Sequence, residues 1–297
     1  MKKIIALAIA GAFVAPVQAA DVSLSGFVGY FHTSSDGAED KMESNEQSIT
    51  VVGTEELPGG YTVTGTFALV DDDPTETNDA FDAQGTNLTI SGPIGKVEIG
   101  DVSGALDATG DWTDISAQGG AFAGDGSNMA INYVLPSAVP GLTIEASYSP
   151  DGTNAMGSGA GTVDDASAVS ATYSFGDISV YAGTESVGDT AETEAYGIKG
   201  TFAGVYFAYE SADNTNTDGS KEDHTGMAVS YNPNGVTFSY EAQEDKTTAT
   251  DYDKAETVLQ AKYSLGGLTL YIANQDVDET KISAGNDATY IGVDYSF

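Results

Sequence analysis

The feature that most constrains this chain is an alternation of apolar and polar residues that recurs from Val22 to Phe297. Between Tyr61 and Phe67, for example, every second residue is apolar or glycine, and threonine occupies the positions between them. A period of two places one set of side chains on each face of a β-strand. Because no window shows a sustained helical period, the sequence predicts an all-β protein whose sheet has one apolar and one polar face.

Two kinds of connection join the alternating segments. Seven are tight and rich in Gly, Pro and Asn, which suit hairpin turns, at residues 58–60, 93–95, 138–141, 176–177, 203–204, 233–235 and 266–267. The other connections are long, polar and acidic, as at 71–74, 151–165, 213–223 and 243–253. Seven short turns and eight long loops predict sixteen antiparallel strands, the layout of a transmembrane β-barrel with short periplasmic turns and long extracellular loops.

The number of strands predicts a closed barrel. An open sheet of sixteen strands would leave two unpaired edges, and closure removes them by pairing the last strand with the first. The polar face must then line something wet, because it consists almost entirely of Ser, Thr, Asn, Gly and charged residues. A barrel of sixteen strands is wide enough for an aqueous channel, with lipid outside and water inside.

Aromatic residues in the apolar phase lie near the ends of the predicted strands, as expected for two girdles at the membrane interfaces. The predicted periplasmic girdle contains Phe175, Phe202, Tyr231, Tyr263, Tyr295 and Phe297. The predicted opposite girdle contains Tyr30, Phe67, Tyr148, Tyr209 and Tyr240.

Composition excludes several functions. The chain has 45 acidic and 10 basic residues, all of the latter lysine, and a formal net charge of −35. Binding of nucleic acid requires clustered positive charge, so no nucleic-acid partner is expected. The absence of cysteine rules out thiol catalysis, disulfides and cysteine zinc sites. No catalytic residue is predicted, since His32 and His224 are the only histidines and neither lies in a recognisable catalytic motif.

The N-terminal segment predicts export. Lys2 and Lys3 precede an apolar run at 4–14, and a small-residue cleavage motif ends at Ala19. The apolar run is too short to span a bilayer, which takes about 20 residues. We therefore expect a cleaved signal peptide at 1–19 and a barrel domain at 20–297.

Three stretches together resemble the general Gram-negative porins, a family of trimeric sixteen-stranded channels. Residues 88–100 resemble the hairpin that leads into the family's third loop, residues 128–136 resemble the strand that leaves it, and Phe297 resembles the terminal aromatic residue. The resemblance implies an outer-membrane homotrimer in contact with lipid and lipopolysaccharide. It also implies passive diffusion of small ions and hydrophilic solutes, with no enzyme activity and no cofactor.

The resemblance further implies that residues 102–127 fold into the lumen and form its constriction. Length supports this, because a long segment without its own strand pattern is suspected of function. The segment also carries apolar residues, Trp112 among them, that could pack on the barrel wall, although an external lid-like loop is the alternative. The candidate constriction residues are Asp101, Asp107, Asp111, Asp114 and Asp125.

The charges depart from the family pattern, in which basic side chains commonly face the acidic loop across the pore. Asp101 stands where the family often has a basic residue, and only lysines could supply such a row here. By strand phase, the predicted pore-lining charges are Lys96, Glu98, Glu145, Lys199, Glu210, Glu241, Lys262 and Asp294. A net acidic throat concentrates cations, so the sequence predicts a preference for cations.

The external acids suggest a weaker hypothesis. Asp71, Asp72 and Asp73 are candidate ligands for a structural Ca²⁺ or Mg²⁺ ion, since these cations favour carboxylate oxygens. A solvated acidic surface is the simpler interpretation. Residues 214–219 resemble the start of an EF-hand loop, but Thr225 stands where that loop needs an acid.

Three other functions remain open at this stage. A substrate-specific channel, for oligosaccharides for example, would use inward aromatic residues. The candidates for such residues are Phe27, Phe31, Tyr181, Tyr206, Tyr271 and Tyr290. A barrel enzyme would need His32 or His224 at a rim, and a structural surface protein would need neither feature.

Overall fold

The structure is a computed structural model that describes residues 21–35, 39–71, 82–107, 110–117, 128–150, 165–188, 191–216, 219–247, 252–279 and 287–297. The predicted signal peptide at 1–19 lies outside the described residues.

The described residues form a closed antiparallel barrel in which each strand pairs with its neighbours in sequence, as the alternation predicted. The strands are β1 (Asp21–Ser35), β2 (Lys41–Leu57), β3 (Tyr61–Asp71), β4 (Asp82–Gly92), β5 (Gly95–Val102), β6 (Asn128–Val134), β7 (Leu142–Ser149), β8 (Ala166–Phe175), β9 (Ile178–Val187), β10 (Ala191–Phe202), β11 (Val205–Thr215), β12 (Lys221–Tyr231), β13 (Val236–Thr247), β14 (Tyr252–Leu265), β15 (Leu268–Glu279) and β16 (Ala288–Ser296). Within this part of the chain, no helix has the length and hydropathy needed to cross a membrane.

The barrel closes between β1 and β16, as predicted. Phe27 pairs with Ser296, and the Gly26 and Phe297 backbones exchange two N–H···O hydrogen bonds of 3.0 Å. The Phe297 ring lies over Gly26, and a Cβ atom at that position would collide with it. A glycine is therefore needed where the two ends of the chain meet.

The outer surface carries the apolar phase of the strands. Leu24 is 63% exposed and Phe202 is 80% exposed. The aromatic residues assigned to the two girdles are likewise exposed. Large apolar side chains in contact with solvent on this scale would make a soluble protein aggregate, whereas they suit a barrel surrounded by hydrocarbon.

Some strands extend further than the alternation indicated. β11 continues to Thr215 and β12 begins at Lys221, so most of the segment 213–223 is strand rather than loop. Likewise, β13 runs to Thr247 and β14 begins at Tyr252. These strand ends are polar on both faces, so they show no alternation, but interstrand pairing still satisfies their backbone groups.

The third loop is folded into the barrel. After β5, described residues 103–107 and 110–117 lie against the inner wall, where Ala105, Leu106 and Trp112 are buried. They belong to a buried apolar cluster with alanines of β8, β10, β11 and β12. This cluster lies inside the barrel, between the loop and one side of the wall.

Candidate functional site: the lumen and its infolded loop

Small residues form the wall on which the loop lies. The inward positions of β8 to β12 in the buried cluster are Ala168, Ala195, Ala208, Ala212 and Ala228. Two glycines deepen this surface: a Cβ at Gly183 would come within 2.8 Å of Leu106 Cδ1, and one at Gly197 would collide with the Tyr181 ring. The small side chains leave the space that the loop fills.

Trp112 is the main apolar anchor of the loop. Its ring meets that of Tyr181 edge-on, with 4.7 Å between centroids, and its carbonyl oxygen accepts a hydrogen bond of 2.7 Å from the Tyr206 hydroxyl. The Lys199 ammonium lies 4.1 Å from the centre of the indole ring, within the range of a cation–π contact. Lys199 therefore contacts the loop, although the sequence suggested that it lines open water.

Glu210 binds the loop from β11. One of its oxygens accepts hydrogen bonds from the Thr113 backbone N–H at 2.8 Å and from the Thr113 hydroxyl at 2.9 Å. The other oxygen accepts one from the Tyr181 hydroxyl at 2.9 Å. A buried carboxylate is tolerated when donors surround it, and these three donors account for a side chain in a residue that is 0% exposed.

Glu241 on β13 repeats the arrangement one step along the loop. It accepts hydrogen bonds from the Ile115 and Ser116 backbone N–H groups and, at 2.8 Å, from the Ser116 hydroxyl. Gln260 on β14 continues the series, since its side-chain oxygen accepts from the Ala117 N–H at 2.9 Å. The loop backbone thus follows a row of inward acceptors across three strands.

These contacts change the role expected for two pore-lining charges. Glu210 and Glu241 point into the barrel, but the loop covers them, and Glu241 is only 2% exposed. The sequence predicted that both side chains line the open lumen, whereas in the structure both lie beneath the loop. Strand phase gives the direction of a side chain but carries no information about a segment, distant in sequence, that lies on top of it.

The beginning of the loop is held by hydroxyl groups. The Ala105 N–H donates to Ser147 Oγ at 2.9 Å, and its carbonyl accepts from Ser170 Oγ at 2.6 Å. Strand phase identified Glu210 and Glu241 as inward but not as residues that bind the loop. It did not identify Ser147, Ser170 or Gln260. The inward alanines and glycines on the same strands were the signal that could have revealed this row.

The loop carboxylates differ in their exposure. Asp107 and Asp111 are half-buried, whereas Asp114 is exposed to the lumen. Desolvation by the surrounding protein, together with the charges of Glu241, Asp111 and Glu210, raises the pKa of Asp114 to about 7. Desolvation also raises the pKa of Asp107, although a hydrogen bond from Ser103 opposes it. Asp125 lies outside the described residues.

Asp101 lies in β5, next to the start of the loop, and its carboxylate accepts a hydrogen bond from the Gly85 N–H. It faces a cavity of about 360 Å³ together with Lys96, Glu98 and Asn132. On the neighbouring strands, Glu145 accepts a hydrogen bond of 3.3 Å from the Asn132 amide.

The inward lysines lie beside carboxylates. Lys96 forms an ion pair of 2.8 Å with Glu98. Lys262 lies close enough to Asp294, and Lys199 to Glu210, for electrostatic interaction. The three lysines predicted to line the pore are therefore balanced locally by acids on the same part of the wall.

Across the lumen, the wall of β2 and β3 carries hydroxyl groups. Along these strands, inward threonines alternate with exposed residues such as Ile49, Val51 and Phe67. The inward threonines are Thr50, Thr54, Thr62, Thr64 and Thr66. Thr54 Oγ1 and Thr64 Oγ1 lie 3.2 Å apart. Val52 and Glu56 share this inward phase, so between residues 50 and 66 the wall offers hydrogen bonds and one carboxylate and carries no lysine.

The remaining candidates have separate positions. Asp71 is half-buried at the end of β3, and Asp72 and Asp73 lie outside the described residues. Among the residues that the structure describes, no group of three or more acids and histidines could hold a metal ion. His224 Nδ1 lies 2.7 Å from Asp245 Oδ1, and His32 Nε2 lies 3.8 Å from Asp40.

A closed sixteen-stranded barrel with an infolded third loop is the architecture of an outer-membrane diffusion channel. A family model described as Gram-negative porin matches residues 6–297. The chain therefore belongs to the Gram-negative porins and is a protein of the outer membrane.

Several solved structures share the fold. Salmonella typhi OmpF in complex with daunomycin is 14% identical, with a TM-score of 0.78 and coverage of 94% of this chain and 98% of that one. An anion-selective porin from Comamonas acidovorans is 16% identical, with a TM-score of 0.73 and coverage of 94% and 100%. The trimer form of Vibrio cholerae OmpT is 13% identical, with a TM-score of 0.73 and the same coverage. No curated protein sequence matches this chain.

Proposed function

We propose that this porin lets small hydrophilic solutes and ions diffuse through its lumen and that it prefers cations. The observation that carries the preference is the pairing of an acidic loop with a wall that has no lysine between residues 50 and 66. Asp107, Asp111 and Asp114 lie on the loop, and threonines lie across from them on β2 and β3. Carboxylates in a narrow passage with low-dielectric walls attract cations and repel anions.

The positions of the lysines support this proposal. Three lysines, Lys96, Lys199 and Lys262, each lie beside an acid. The neighbouring carboxylates offset most of the positive charge that these lysines would present to the lumen. Between residues 50 and 66, on the described part of β2 and β3, no lysine faces the acids of the loop. We propose that Asp101 and the loop acids, including Asp125, set the selectivity and that residues 102–127 set the width.

The fold alone does not decide ion preference. The porin from Comamonas acidovorans is described as anion-selective and shares the barrel with a TM-score of 0.73. The side chains on the two faces of the throat must therefore make the difference, and in this chain they are acids and threonines.

The test is the reversal potential of the reconstituted porin under a KCl gradient. We expect the sign of a cation-preferring channel, weakening as salt rises, because the Debye length falls from about 8 Å at 0.15 M to about 3 Å at 1 M. Asp111→Asn with Asp114→Asn should reduce the potential. Asp177→Asn, in the turn between β8 and β9, is the matched control and should leave it unchanged. An anion-selective potential from the wild-type protein would refute the proposal.

We also propose that the porin is a homotrimer in contact with lipid and lipopolysaccharide, and that residues 1–19 are removed on export. The trimer form of Vibrio cholerae OmpT supports the first point by shared fold. Cross-linking in membranes and mass spectrometry of the mature N-terminus would test the two points.

Binding of a divalent cation at Asp71–Asp73 stays a hypothesis, which the effect of EDTA on thermal unfolding would test.

The other functions receive less support. A sugar channel needs a series of inward aromatic residues, but Tyr181 and Tyr206 hold the loop and Tyr271 is buried against Gly292. Only Phe31 and Tyr290, among the six candidates, form an aromatic pair beside the lumen. His224 and Asp245 form the histidine–acid pair of a catalytic triad, but within the described residues no hydroxyl group forms a hydrogen bond with His224.

A further inference from the structure

A second cavity lies at the extracellular end of the lumen, away from the infolded loop. Its volume is about 420 Å³, and strands β1, β2, β14, β15 and β16 line it. Its charged lining residues are Glu39, Lys41, Glu43, Lys254 and Glu256. The volume falls within the range of small-molecule sites, which is roughly 300–1,000 Å³.

Two copies of one short sequence pattern bring both signs of charge into this cavity. Lys41-Met42-Glu43 lies on β2 and Lys254-Ala255-Glu256 lies on β14. Residues two apart on a strand share a face, so each strand presents an ammonium group and a carboxylate to the same space. This arrangement differs from the throat, where the loop presents carboxylates to a wall that has no lysine between residues 50 and 66.

The β14 side of the cavity is fixed by a chain of hydrogen bonds. Lys254 Nζ lies 2.7 Å from one Glu256 oxygen, and the Gln275 amide donates to the other at 2.7 Å. The Tyr290 hydroxyl donates to the Gln275 side-chain oxygen at 2.7 Å. Because the Glu256 carboxylate is buried and occupied, this side serves as a rigid frame that keeps Lys254 in place.

The β2 side is more accessible. Lys41 is exposed and Glu43 is half-buried. Glu43 accepts a hydrogen bond of 3.0 Å from the Thr33 hydroxyl, which orients it and leaves room for a second donor, since a carboxylate offers about four lone-pair sites. The Phe31 and Tyr290 rings, 5.9 Å apart and edge-on, add an apolar surface next to Glu43 and Gln275.

We propose that this cavity binds small zwitterionic solutes of the amino-acid or short-peptide class on their way into the pore. The ammonium group of the solute would bind Glu43 and Glu39, and its carboxylate would bind Lys41 and Lys254. A simple anion would meet three glutamates and a simple cation two lysines. A neutral solute would form weaker hydrogen bonds with these charged side chains, because neither partner it offers is charged. A zwitterion would form charge-assisted hydrogen bonds with the glutamates through its ammonium group and with the lysines through its carboxylate.

This proposal rests on the open lumen of the proposed channel but not on its cation preference. Charge-assisted hydrogen bonds are the strong ones, and losing one typically costs about tenfold or more in affinity. A site of this kind should therefore discriminate between solutes that differ by a single charge.

The test uses the reconstituted full-length channel and three probes added from the extracellular side: glycylglycine, its cation-only analogue glycinamide and its anion-only analogue N-acetylglycine. We expect saturable current fluctuations with glycylglycine and little response to the other two. Lys41→Met and Glu43→Gln should each raise the half-saturating concentration about tenfold. Lys246→Met and Glu244→Gln, which remove a lysine–glutamate pair of 2.7 Å on β13 outside the lining of this cavity, are the matched controls and should change it little.

Two results would overturn the proposal. One is an equal response to glycinamide that Lys41→Met leaves unchanged, which would identify a merely acidic mouth. The other is the absence of any saturable response to glycylglycine. The reversal potential, measured on the same channels, reports the cation preference separately, so a failure of either proposal is visible by itself.

Discussion

The two sides of the lumen use the same strand pattern for different purposes. On the covered side, inward positions of β8 to β14 include alanines, glycines, two buried glutamates and a glutamine, and the loop lies on them. On the open side, the most frequent inward residue of β2 and β3 between positions 50 and 66 is threonine. Both sides are polar-phase positions of an alternating strand, yet one forms a packed interface and the other is a wet wall.

The difference shows what a barrel needs in order to hold a segment inside itself. Small residues remove steric bulk, and buried acceptors satisfy loop N–H groups that would otherwise lose their water. Threonines do neither, because their methyl and hydroxyl groups project into the lumen and bind water or solute. The following predictions test this division, beginning with the largest effect.

Removing both buried acids should release the loop. Glu210→Ala together with Glu241→Ala deletes six hydrogen bonds to a charged acceptor, each contributing about 1.5–3 kcal/mol. We expect higher and noisier single-channel conductance. Trp112 is the only tryptophan, so its emission should also shift to the red and become accessible to acrylamide.

The matched control for the double variant is Thr50→Ala with Thr64→Ala on the open wall. Within the described residues these threonines form no hydrogen bond to the loop, so conductance noise and tryptophan emission should match those of the wild type. Equal changes in both variants would abolish the distinction between the two walls.

Truncating the anchor should weaken the covered side somewhat less. Trp112→Ala removes the contact with Tyr181 and the cation–π contact with Lys199, and buried aromatic truncations typically cost about 3–5 kcal/mol. Trp112→Phe keeps a ring edge and should have an intermediate effect. Thermal unfolding followed by circular dichroism, with open-channel noise, measures both; an unaltered Trp112→Ala channel would show that the carboxylates alone hold the loop.

Adding a charge to the open wall should change selectivity without moving the loop. Thr64→Lys places an ammonium group across from the loop acids, and a unit charge about 6 Å from the ion path contributes roughly 0.7 kcal/mol in water. We expect the cation-to-anion permeability ratio to fall about tenfold, because the added charge raises the energy of the cation and lowers that of the anion by the same amount. Thr64→Met, of similar length but neutral, separates charge from bulk in the same reversal-potential measurement.

The smallest expected effect concerns pH. The raised pKa of Asp114, about 7, means that the docked loop binds this proton more tightly than the released loop does. Docking is therefore favoured by acid, and this contribution is lost as pH rises from about 4 through about 7. Lumen water screens the exposed carboxyl, so the change should be modest.

Ionisation of Asp114 should also strengthen cation preference as pH rises through neutrality. Reversal potentials measured from about pH 6 to about pH 8 test this, because Asp114→Asn should remove that part of the pH dependence. Asp177→Asn should retain the wild-type profile. A steep pH dependence that persists in Asp114→Asn would point to another titrating group.

Sequence reasoning reached the barrel because its signals are local. The alternation at 61–69 and the tight turns specify strands and hairpins, and the count of strands requires closure. The predicted strand ends were less accurate at 213–223 and 243–253, because strands with two polar faces show no alternation. The burial of Glu210 and Glu241 was out of the reach of sequence reasoning, because Thr113 lies 97 residues from Glu210 and Ile115 lies 126 residues from Glu241.

The sequence by itself determined the strand architecture, the lipid-facing surface and the excess of carboxylates, since each follows from residue periodicity and composition. Only the tertiary structure decided which inward side chains meet water and which lie beneath the loop. The physical reason is that exposure inside a barrel depends on contacts between segments far apart in sequence. A glutamate under Thr113 is part of a packed interface, while Asp114, one residue further along the loop, is exposed.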